Sequence, residues 1–355
     1  MNENENRSVK TLKVRKVQPP PQKPPFDKKL LLPVFAGITL VLFIVLFIII
    51  GTLSSKITDL NDRLSESEEY INAVNTRVYK YAQPGDVIYL SDPTYGDTWL
   101  PVLEDVPVNT RDYSNLSLNE DNRYTYYVNG EKASFTGIDV SYFQEDIDWQ
   151  KVAADGIDFV ILRAGYRGYE TGKINEDSKF EEYAKGASEA GLDIGVYFYS
   201  QALTEEEAKA EAQFVCELLE PYEIAYPVAF DWEVTGEEAA RTNDISPETL
   251  TKCALAFCNE IAAAGYRPML YGNLRMALLK FDLRSLHQYD FWFAQYKDGH
   301  HPPEYPYELS IWQYASDGKV DGISGDVDMN ISFVDYRSEY DALQKIMGTQ
   351  DKTEE

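Results

Sequence analysis

Two carboxylates, Asp231 and Glu233, stand at the end of an apolar run in the stretch PVAFDWEV, residues 227–234. A short apolar run of this kind is typical of a buried strand. Alternate residues of a strand face the same side, so we expect both acids to project together, with Cα atoms about 6.5 to 7 Å apart. Like charges that close raise each other's pKa, which lets one carboxyl keep a proton near neutral pH and act as a general acid.

Two further acids follow apolar segments in the same way, Asp139 in GIDV and Asp328 in VDMN. Four carboxylates at neighbouring strand ends would converge at one end of the folded domain. Two acids that flank a sugar linkage are the minimum for glycoside hydrolysis. A structural acid pair and an oxygen-ligand site for a divalent cation are the alternatives. The chain has three histidines, and its three cysteines lack metal-ligand spacing, so we predict neither a metal nor another cofactor.

Aromatic and amide side chains accompany the acids at the predicted strand ends. Aromatic faces stack on sugar rings, and their polar edges bond hydroxyl and acetamide groups. The alternative for each aromatic residue is that it packs in the apolar core of the protein. The residues predicted to bind substrate are Tyr166, Tyr197, Tyr199, Trp232, Trp292, Gln295, Trp312, Gln313 and Tyr314.

The segments that must position these residues alternate between short apolar strands and amphipathic helices from residue 135 onward. The predicted helices begin at residues typical of N-caps, namely Asn175, Thr204 and Ser246, and two of them end at Gly191 and Gly265. The strands predicted from FWFAQY, LSIWQYAS and DVDMNISF then follow one another with only loops between them. Five strand–helix units and three bare strands give eight strands, the number that closes a parallel barrel.

The predicted fold class is therefore α/β, a TIM-like (β/α)5(β)3 barrel. Such barrels carry their active sites at the carboxyl ends of the strands. An open doubly wound sheet is the alternative, and it would usually show a Gly-rich phosphate loop after its first strand, which this sequence lacks.

A transmembrane helix is predicted at residues 30–53, because residues 30–55 contain no charged side chain. Residues 1–29 carry eight Lys and Arg against three acids, and basic flanks stay in the cytoplasm. These features predict a single-pass type II protein of the cell membrane, with its catalytic domain outside and its partner lipid bilayer contacted through residues 30–53. A cleaved signal peptide is the alternative, but its apolar region would be shorter, about 7 to 15 residues.

The remaining boundaries follow from changes in pattern. Residues 54–82 have an apolar stripe at helical spacing and are predicted to form a stalk, through which two copies could associate. Residues 83–134 are predicted to form a small β-rich linker region. Residues 135–335 are predicted to form the barrel, and residues 336–355 a C-terminal helix with an acidic tail. The formal net charge of −26 argues against a nucleic-acid partner, since binders of nucleic acid need a basic surface.

Four motifs in this order carry a resemblance to a known family: GIDVSYFQ, YPVAFDWE, WQY and VDMN. Over residues 135–334 the chain resembles glycoside hydrolase family 25, the Chalaropsis or cellosyl type of lysozyme. The resemblance implies an N-acetylmuramidase that cuts the β-1,4 bond between N-acetylmuramic acid and N-acetylglucosamine in peptidoglycan. It also implies that Glu233 is the general acid and that Asp231 orients the 2-acetamido group of the substrate, with Asp139 and Asp328 completing an acidic floor.

The function expected from the sequence is thus wall remodelling by a membrane-anchored muramidase whose partner is the peptidoglycan glycan strand. Two alternatives stay open. One is a wall-binding scaffold with weak or no activity on the same barrel, because a fold does not guarantee chemistry. The other is an enzyme that cuts chitin-like polymers of N-acetylglucosamine.

Overall fold

The computed structural model describes residues 39–61, 63, 85–92, 96–297 and 299–350, with the backbone alone for 347–350. Helix α1, Thr39–Asn61, is 23 residues long and apolar enough to cross a bilayer by length and composition. It covers the later part of the predicted span and continues past residue 53. Residues 1–38, most of the predicted stalk and residues 351–355 lie outside the described residues. Helix α1 belongs to a different compact unit from the rest of the chain.

Five short strands occupy the region predicted to be β-rich. They are β1 (Val87–Asp92), β2 (Gly96–Pro101), β3 (Leu116–Leu118), β4 (Tyr124–Val128) and β5 (Glu131–Lys132). Strands β1 and β2 form an antiparallel pair, and β3, β4 and β5 form a separate antiparallel sheet.

Nine strands and seven α-helices follow among the described residues from 135 onward. The strands are β6 (Phe135–Val140), β7 (Phe159–Arg167), β8 (Ile174–Glu176), β9 (Asp193–Tyr199), β10 (Val228–Asp231), β11 (Pro268–Asn273), β12 (Asp290–Ala294), β13 (Ile311–Gly318) and β14 (Val327–Ser332). The helices are α2 (Trp149–Ala154), α3 (Phe180–Glu189), α4 (Glu205–Leu219), α5 (Pro247–Ala263), α6 (Leu274–Leu279), α7 (Leu283–Leu286) and α8 (Tyr336–Gln350).

Eight of these strands close the predicted (β/α)5(β)3 barrel, which is confirmed. Strands β6, β7, β9, β10, β11, β12 and β13 are parallel neighbours in that order. Strand β14 runs antiparallel to both β13 and β6 and closes the ring, while β8 only extends one edge of β7. Because β14 is reversed, its first residues lie at the same rim as the last residues of the other barrel strands.

The helix N-caps agree with the sequence at two of three positions. The Thr204 side chain accepts a hydrogen bond from the backbone N–H of Glu207, and the Ser246 side chain accepts one from Thr249. The prediction at Asn175 is wrong, because this residue lies in β8, where it pairs with Tyr166. Helix α3 begins only at Phe180.

Side chains of alternate strand residues pack into two apolar layers. The layer inside the barrel includes Phe159, Tyr226 and Trp292, and the ring centroids of Phe159 and Tyr226 lie 4.2 Å apart. The larger layer lies between strands and helices. Gly137 faces the barrel interior, where a Cβ atom would come within 2.2 Å of the Phe159 ring, so the glycine leaves room for that ring.

The β3–β5 sheet covers barrel strands that have no helix of their own. The ring centroid of Tyr124 in β4 lies 4.8 Å from that of Trp312 and 5.0 Å from that of Tyr314, both in β13. Tyr126 packs edge-on against Phe333 at 5.6 Å. An apolar strand face without a helix needs another element over it to exclude water, and the β3–β5 sheet is that element here.

Candidate active site

Three of the four predicted acids lie in barrel strands, and all four lie at one rim. Asp231 is the last residue of β10, and its register partners are Tyr199 in β9 and Tyr271 in β11. Asp139, near the end of β6, lies directly opposite Asp328, near the start of β14. Glu233 follows Asp231 by two residues, just beyond the strand end.

Asp139 is a buried carboxyl held by two amide groups. Its Oδ2 atom accepts hydrogen bonds from Gln313 Nε2 at 2.7 Å and from Asn330 Nδ2 at 2.8 Å. Burial raises the pKa of Asp139 well above its usual value, and the negative charge of Asp328 raises it further. This environment favours the protonated form of Asp139.

The two amides are themselves fixed by neighbouring aromatic side chains. Trp292 Nε1 donates to Asn330 Oδ1 at 2.8 Å. The hydroxyls of Tyr271 and Tyr296 both donate to Gln313 Oε1, at 2.8 and 2.6 Å. Because each amide oxygen is already engaged as an acceptor, each amide NH₂ must turn towards Asp139.

Asp328 is less deeply buried than Asp139 and carries the charge of this pair. Burial raises the pKa of Asp328 to about 6, while a hydrogen bond with Asp139 lowers it. If a protonated Asp139 donates to an ionised Asp328, their contact raises the pKa of Asp139 and lowers that of Asp328. Two adjacent carboxyls share one proton more stably than they hold two charges.

Asp231 is also buried, with 3% of its surface exposed, and its Oδ1 atom has no hydrogen-bond partner among the described residues. Burial raises its pKa, the charges of Glu233 and Asp139 raise it further, and the guanidinium of Arg163 opposes them. An unpartnered buried carboxylate oxygen is costly, so this atom is available for a donor from a ligand.

Glu233 is half-buried at the mouth. Burial raises its pKa, and the charge of Asp328 adds to that effect. No hydrogen bond to its carboxylate occurs within the described part of the chain. A carboxyl with a raised pKa and no hydrogen-bond partner among the described residues is suited to donate a proton to a bound molecule.

The segment after Glu233 is tied back to the barrel by buried polar groups. Gln201 is fully buried; its Oε1 atom accepts the Thr242 hydroxyl, and its Nε2 atom donates to the backbone carbonyl of Glu233 at 3.5 Å. The backbone N–H of Ser200 donates to the carbonyl of Asp231 at 2.7 Å. The residues that follow β9 therefore hold the chain on both sides of the Asp231–Glu233 pair.

Sequence reasoning missed Arg163, whose charge lies beside the acids. Its Nε atom donates to Asp177 at 2.7 Å, and its Nη2 atom is buried without a partner in the described residues. The guanidinium carbon lies 5.0 Å from the ring centroid of Tyr142 and 5.4 Å from that of Phe143, two exposed aromatic residues just beyond β6. A positive charge inside the apolar run DFVILRAGY was the signal available in the sequence.

Five of the nine predicted substrate-binding residues face the interior or the mouth of the barrel: Tyr166, Tyr197, Tyr199, Trp292 and Gln313. A bulge in the pairing of β7 with β9 places Tyr166 opposite Tyr199, and it brings the Tyr166 ring 5.5 Å from the Arg163 guanidinium. Burial raises the pKa of the Tyr199 hydroxyl, and the nearby charges of Asp231 and Glu233 raise it further.

The other four lie away from the acids. Trp232 is 2% exposed and packs between strands and helices, because it alternates with Asp231 and Glu233. Trp312 and Tyr314 flank the inward-facing Gln313 and therefore point outward, where the β3–β5 sheet covers them. Gln295 is engaged in its own loop, since its Oε1 atom accepts the backbone N–H of Glu304 at 3.0 Å.

Within the described ranges, no group of three or more His, Cys, Asp or Glu side chains is arranged to hold a metal ion. At the mouth, Asp139 is bonded to two amides and lies opposite Asp328, and Asp231 and Glu233 lie two residues apart. An eight-stranded barrel with an acid pair at a strand end, both of whose pKa values are raised, has the groups that a carboxylate-dependent glycoside hydrolase requires.

The comparison with known families agrees with that class. The family model "Glycosyl hydrolases family 25" matches residues 138–323, just over half of the chain. The chain belongs to this family, as the four sequence motifs predict, and it is a glycoside hydrolase of the lysozyme type. The match begins after the β1–β5 region.

Two curated proteins illustrate how distant the relatives are. The chain is 27% identical over 203 residues to the uncharacterized protein YegX of Escherichia coli (strain K12), a match that covers 56% of this chain and 70% of that protein. It is 26% identical over 197 residues to an autolytic lysozyme of Clostridium acetobutylicum, covering 55% of this chain and 54% of that enzyme.

Solved structures show more remote similarity. The modular autolysin LytC from Streptococcus pneumoniae aligns with 23% identity and a TM-score of 0.49, over 72% of this chain and 58% of that chain. A family 25 glycosyl hydrolase from Bacillus anthracis aligns with 18% identity and a TM-score of 0.48, over 63% of this chain and 99% of that chain.

Proposed function

We propose that this chain is a membrane-anchored N-acetylmuramidase that cleaves the β-1,4 bond between N-acetylmuramic acid and N-acetylglucosamine in peptidoglycan. One observation carries the proposal. Glu233, a half-buried carboxyl with a raised pKa, lies two residues from Asp231, a buried carboxyl with an unpartnered oxygen. The similarity to an autolytic lysozyme supports the choice of a cell-wall substrate.

Glu233 acts as the general acid. Its raised pKa favours the protonated form, and the proton passes to the glycosidic oxygen as the bond from that oxygen to the anomeric carbon breaks. The resulting carboxylate then accepts a proton from the water that completes the hydrolysis. One residue thus serves first as acid and then as base.

Asp231 orients the 2-acetamido group of the sugar whose anomeric carbon reacts. Its unpartnered Oδ1 atom accepts the acetamide N–H, which directs the acetamide oxygen towards the anomeric carbon. As that oxygen forms a bond to the carbon, the leaving oxygen departs with the proton of Glu233, and water later opens the ring so formed. Arg163 opposes the burial and the neighbouring charges that raise the pKa of Asp231. A carboxyl oxygen accepts this hydrogen bond whether the group is protonated or ionised.

The Asp139–Asp328 pair supports the chemistry without donating a proton to the substrate. The ionised Asp328 helps keep Glu233 protonated before reaction, and it stabilises positive charge that develops at the anomeric centre. Asp139 holds Asp328 in place across the strand register.

We further propose that helix α1 anchors the enzyme in the cell membrane with type II topology and the barrel outside. The helix is long and apolar enough to span the bilayer, and the basic residues of 1–29 favour a cytoplasmic tail. A membrane-impermeant maleimide tests this orientation with single cysteines placed at Ser8 and at Ser338, in a chain whose own three cysteines are replaced by alanine. Labelling of the second site alone in intact cells is expected, and labelling of the first site alone would contradict the proposal.

The activity is tested with the full chain in detergent and purified peptidoglycan. The wild-type chain is expected to release reducing sugars, and Glu233→Gln is expected to lower the rate by about 10²- to 10⁴-fold, the range for loss of a general acid. Glu237→Gln is the matched control, an exposed glutamate four residues further along that should keep full activity. Peptidoglycan binding without new reducing ends would support a wall-binding scaffold instead.

A further inference from the structure

The β1–β2 hairpin lies outside the part of the chain that matches the family, and its two faces differ. On one face Ile88 and Leu90 are buried, and Asp92 is paired with Arg275. This face docks the hairpin onto the barrel unit. Strand alternation then turns the other face towards solvent.

The outer face carries an aromatic pair. Tyr89 and Trp99 are directly opposite each other across the two strands, and their ring centroids lie 5.0 Å apart. Trp99 is 60% exposed, whereas the other four tryptophans of the chain are 7% exposed or less. Val87, on the same face, is 47% exposed. Such a group of exposed apolar side chains usually marks a binding surface.

Polar groups beside the aromatic pair are held in fixed positions. The Asp97 Oδ1 atom accepts the Tyr89 hydroxyl at 2.8 Å and the Ser91 hydroxyl at 3.0 Å. These two hydrogen bonds fix both the Tyr89 ring and the carboxylate. A rigid aromatic face next to a fixed acceptor suits a sugar ring, which has an apolar face for stacking and hydroxyl or amide donors at its edge.

The hairpin is attached at the rim that carries the acids. Its last β1 residue, Asp92, forms an ion pair with Arg275, the second residue of α6. Helix α6 follows β11 directly, and Tyr271 in β11 is the register partner of Asp231. The anchor therefore lies just beyond the carboxyl end of β11, the strand next to the one that bears Asp231.

The charge of the hairpin decides between possible occupants. Residues 85–101 contain three aspartates and no Lys or Arg. Contact with anionic lipid or a phosphate-rich wall polymer would require cations here, which the segment lacks. The N-acetylglucosamine units, which alternate with N-acetylmuramic acid along the glycan strand, are neutral and need none.

We propose that the outer face of the β1–β2 hairpin, centred on Trp99 and Tyr89, is an accessory binding site for the N-acetylated glycan strand. This inference rests on the proposed function, since the same polymer would occupy both the mouth and the hairpin. The site raises affinity for long glycan strands and leaves the chemistry at Glu233 unchanged.

Tryptophan fluorescence tests the site directly. In the full chain carrying Glu233→Gln, which prevents turnover, acrylamide should quench chiefly Trp99, because the other four tryptophans are buried. Glycan strands freed of their peptide stems are expected to protect that emission, and Trp99→Phe should remove the quenchable component. Unchanged quenching at saturating glycan would overturn the proposal. It would also be overturned if acrylamide failed to quench the Trp99 emission in detergent alone, before any glycan is added.

A binding measurement gives the second readout. In the same Glu233→Gln background, Trp99→Ala is expected to weaken binding to the glycan strands by about three- to tenfold, the equivalent of a lost aromatic contact. Tyr127→Ala is the control, because Tyr127 is an exposed aromatic residue of another strand, β4. Equal affinities for the Trp99→Ala and Tyr127→Ala chains would overturn the proposal. Hydrolysis by the wild-type chain is measured separately, so failure of the proposed function would be recognised independently.

Discussion

Asp139 and Asp328 lie directly opposite each other across the antiparallel strands β6 and β14. This pairing exists because the last barrel strand is reversed, which brings its first residues to the rim where the parallel strands end. The pKa of Asp139 is raised well above its usual value and that of Asp328 to about 6, which favours the proton on Asp139 and the charge on Asp328. That charge in turn raises the pKa of Glu233.

Replacing Asp328 should therefore change the pH dependence of hydrolysis. A general acid must be protonated, so kcat/KM falls as the pH rises through the pKa of Glu233. Asp328→Asn removes a charge that raises this pKa, and we expect the alkaline limb of the profile to move to lower pH. Asp326→Asn, an exposed aspartate two residues earlier, should leave the limb in place. A limb that stays fixed in Asp328→Asn would show that Asp328 does not act on the catalytic acid.

Gln201 should affect activity although it does not touch the substrate. Gln201→Leu leaves the buried Thr242 hydroxyl without its acceptor and frees the carbonyl of Glu233. We expect a loss of about 1 to 3 kcal/mol in the free energy of unfolding, together with a lower kcat at nearly unchanged KM. Gln213→Leu, at an exposed position, is the control in both denaturant unfolding and kinetics. An unchanged kcat would show that the tether does not position Glu233.

The β3–β5 sheet should be needed for barrel stability. Tyr124→Ala removes a 4%-exposed ring that packs on Trp312 and Tyr314, and we expect the free energy of unfolding to fall by about 3 to 5 kcal/mol. Tyr127→Ala, on the same strand but 40% exposed, should change it by less than about 1 kcal/mol. Urea unfolding of both chains measures the difference. Equal stabilities would mean that the sheet does not serve as the cover of the bare strands.

Asp231 should make the fold less stable as the pH rises. Its pKa is raised in the folded state, so its contribution is fully present below the unfolded value of 3.8 and is lost as the pH rises through the folded pKa. Asp231→Asn mimics the protonated form, and it should raise the free energy of unfolding at pH 7. At pH 3.5 the two chains should be nearly equally stable. Asp244→Asn, at an exposed position, should show no such pH-dependent gain. A wild-type chain that is more stable than Asp231→Asn at pH 7 would contradict the assignment.

Much of the barrel could be predicted from the sequence, because its periodic features are local. Strand and helix patterns alternate along the chain, and the N-caps at Thr204 and Ser246 are recognisable from residue type. The convergence of the acids followed from one topological rule about strand ends. The start of α3 could not be predicted in this way, because Asn175 is taken into the short edge strand β8 by pairing with Tyr166.

The substrate-binding residues were harder to predict because aromatic residues serve both core and mouth. Strict strand alternation would have separated them, since Trp232, Trp312 and Tyr314 each stand next to an inward-facing residue. The same rule would have found Asn330, two residues after Asp328. What alternation could not show is the cover over β13, because Tyr124 reaches it from a distant part of the chain.

The identity of the sugar at the new reducing end tests the proposed function most directly. Peptidoglycan digested by the full chain is reduced with borohydride, and the fragments are separated and identified by mass. Reduced N-acetylmuramic acid as the terminal sugar, absent from digests with Glu233→Gln, is the predicted result. Reduced N-acetylglucosamine at that end, or equal release by the Glu233→Gln chain, would contradict it.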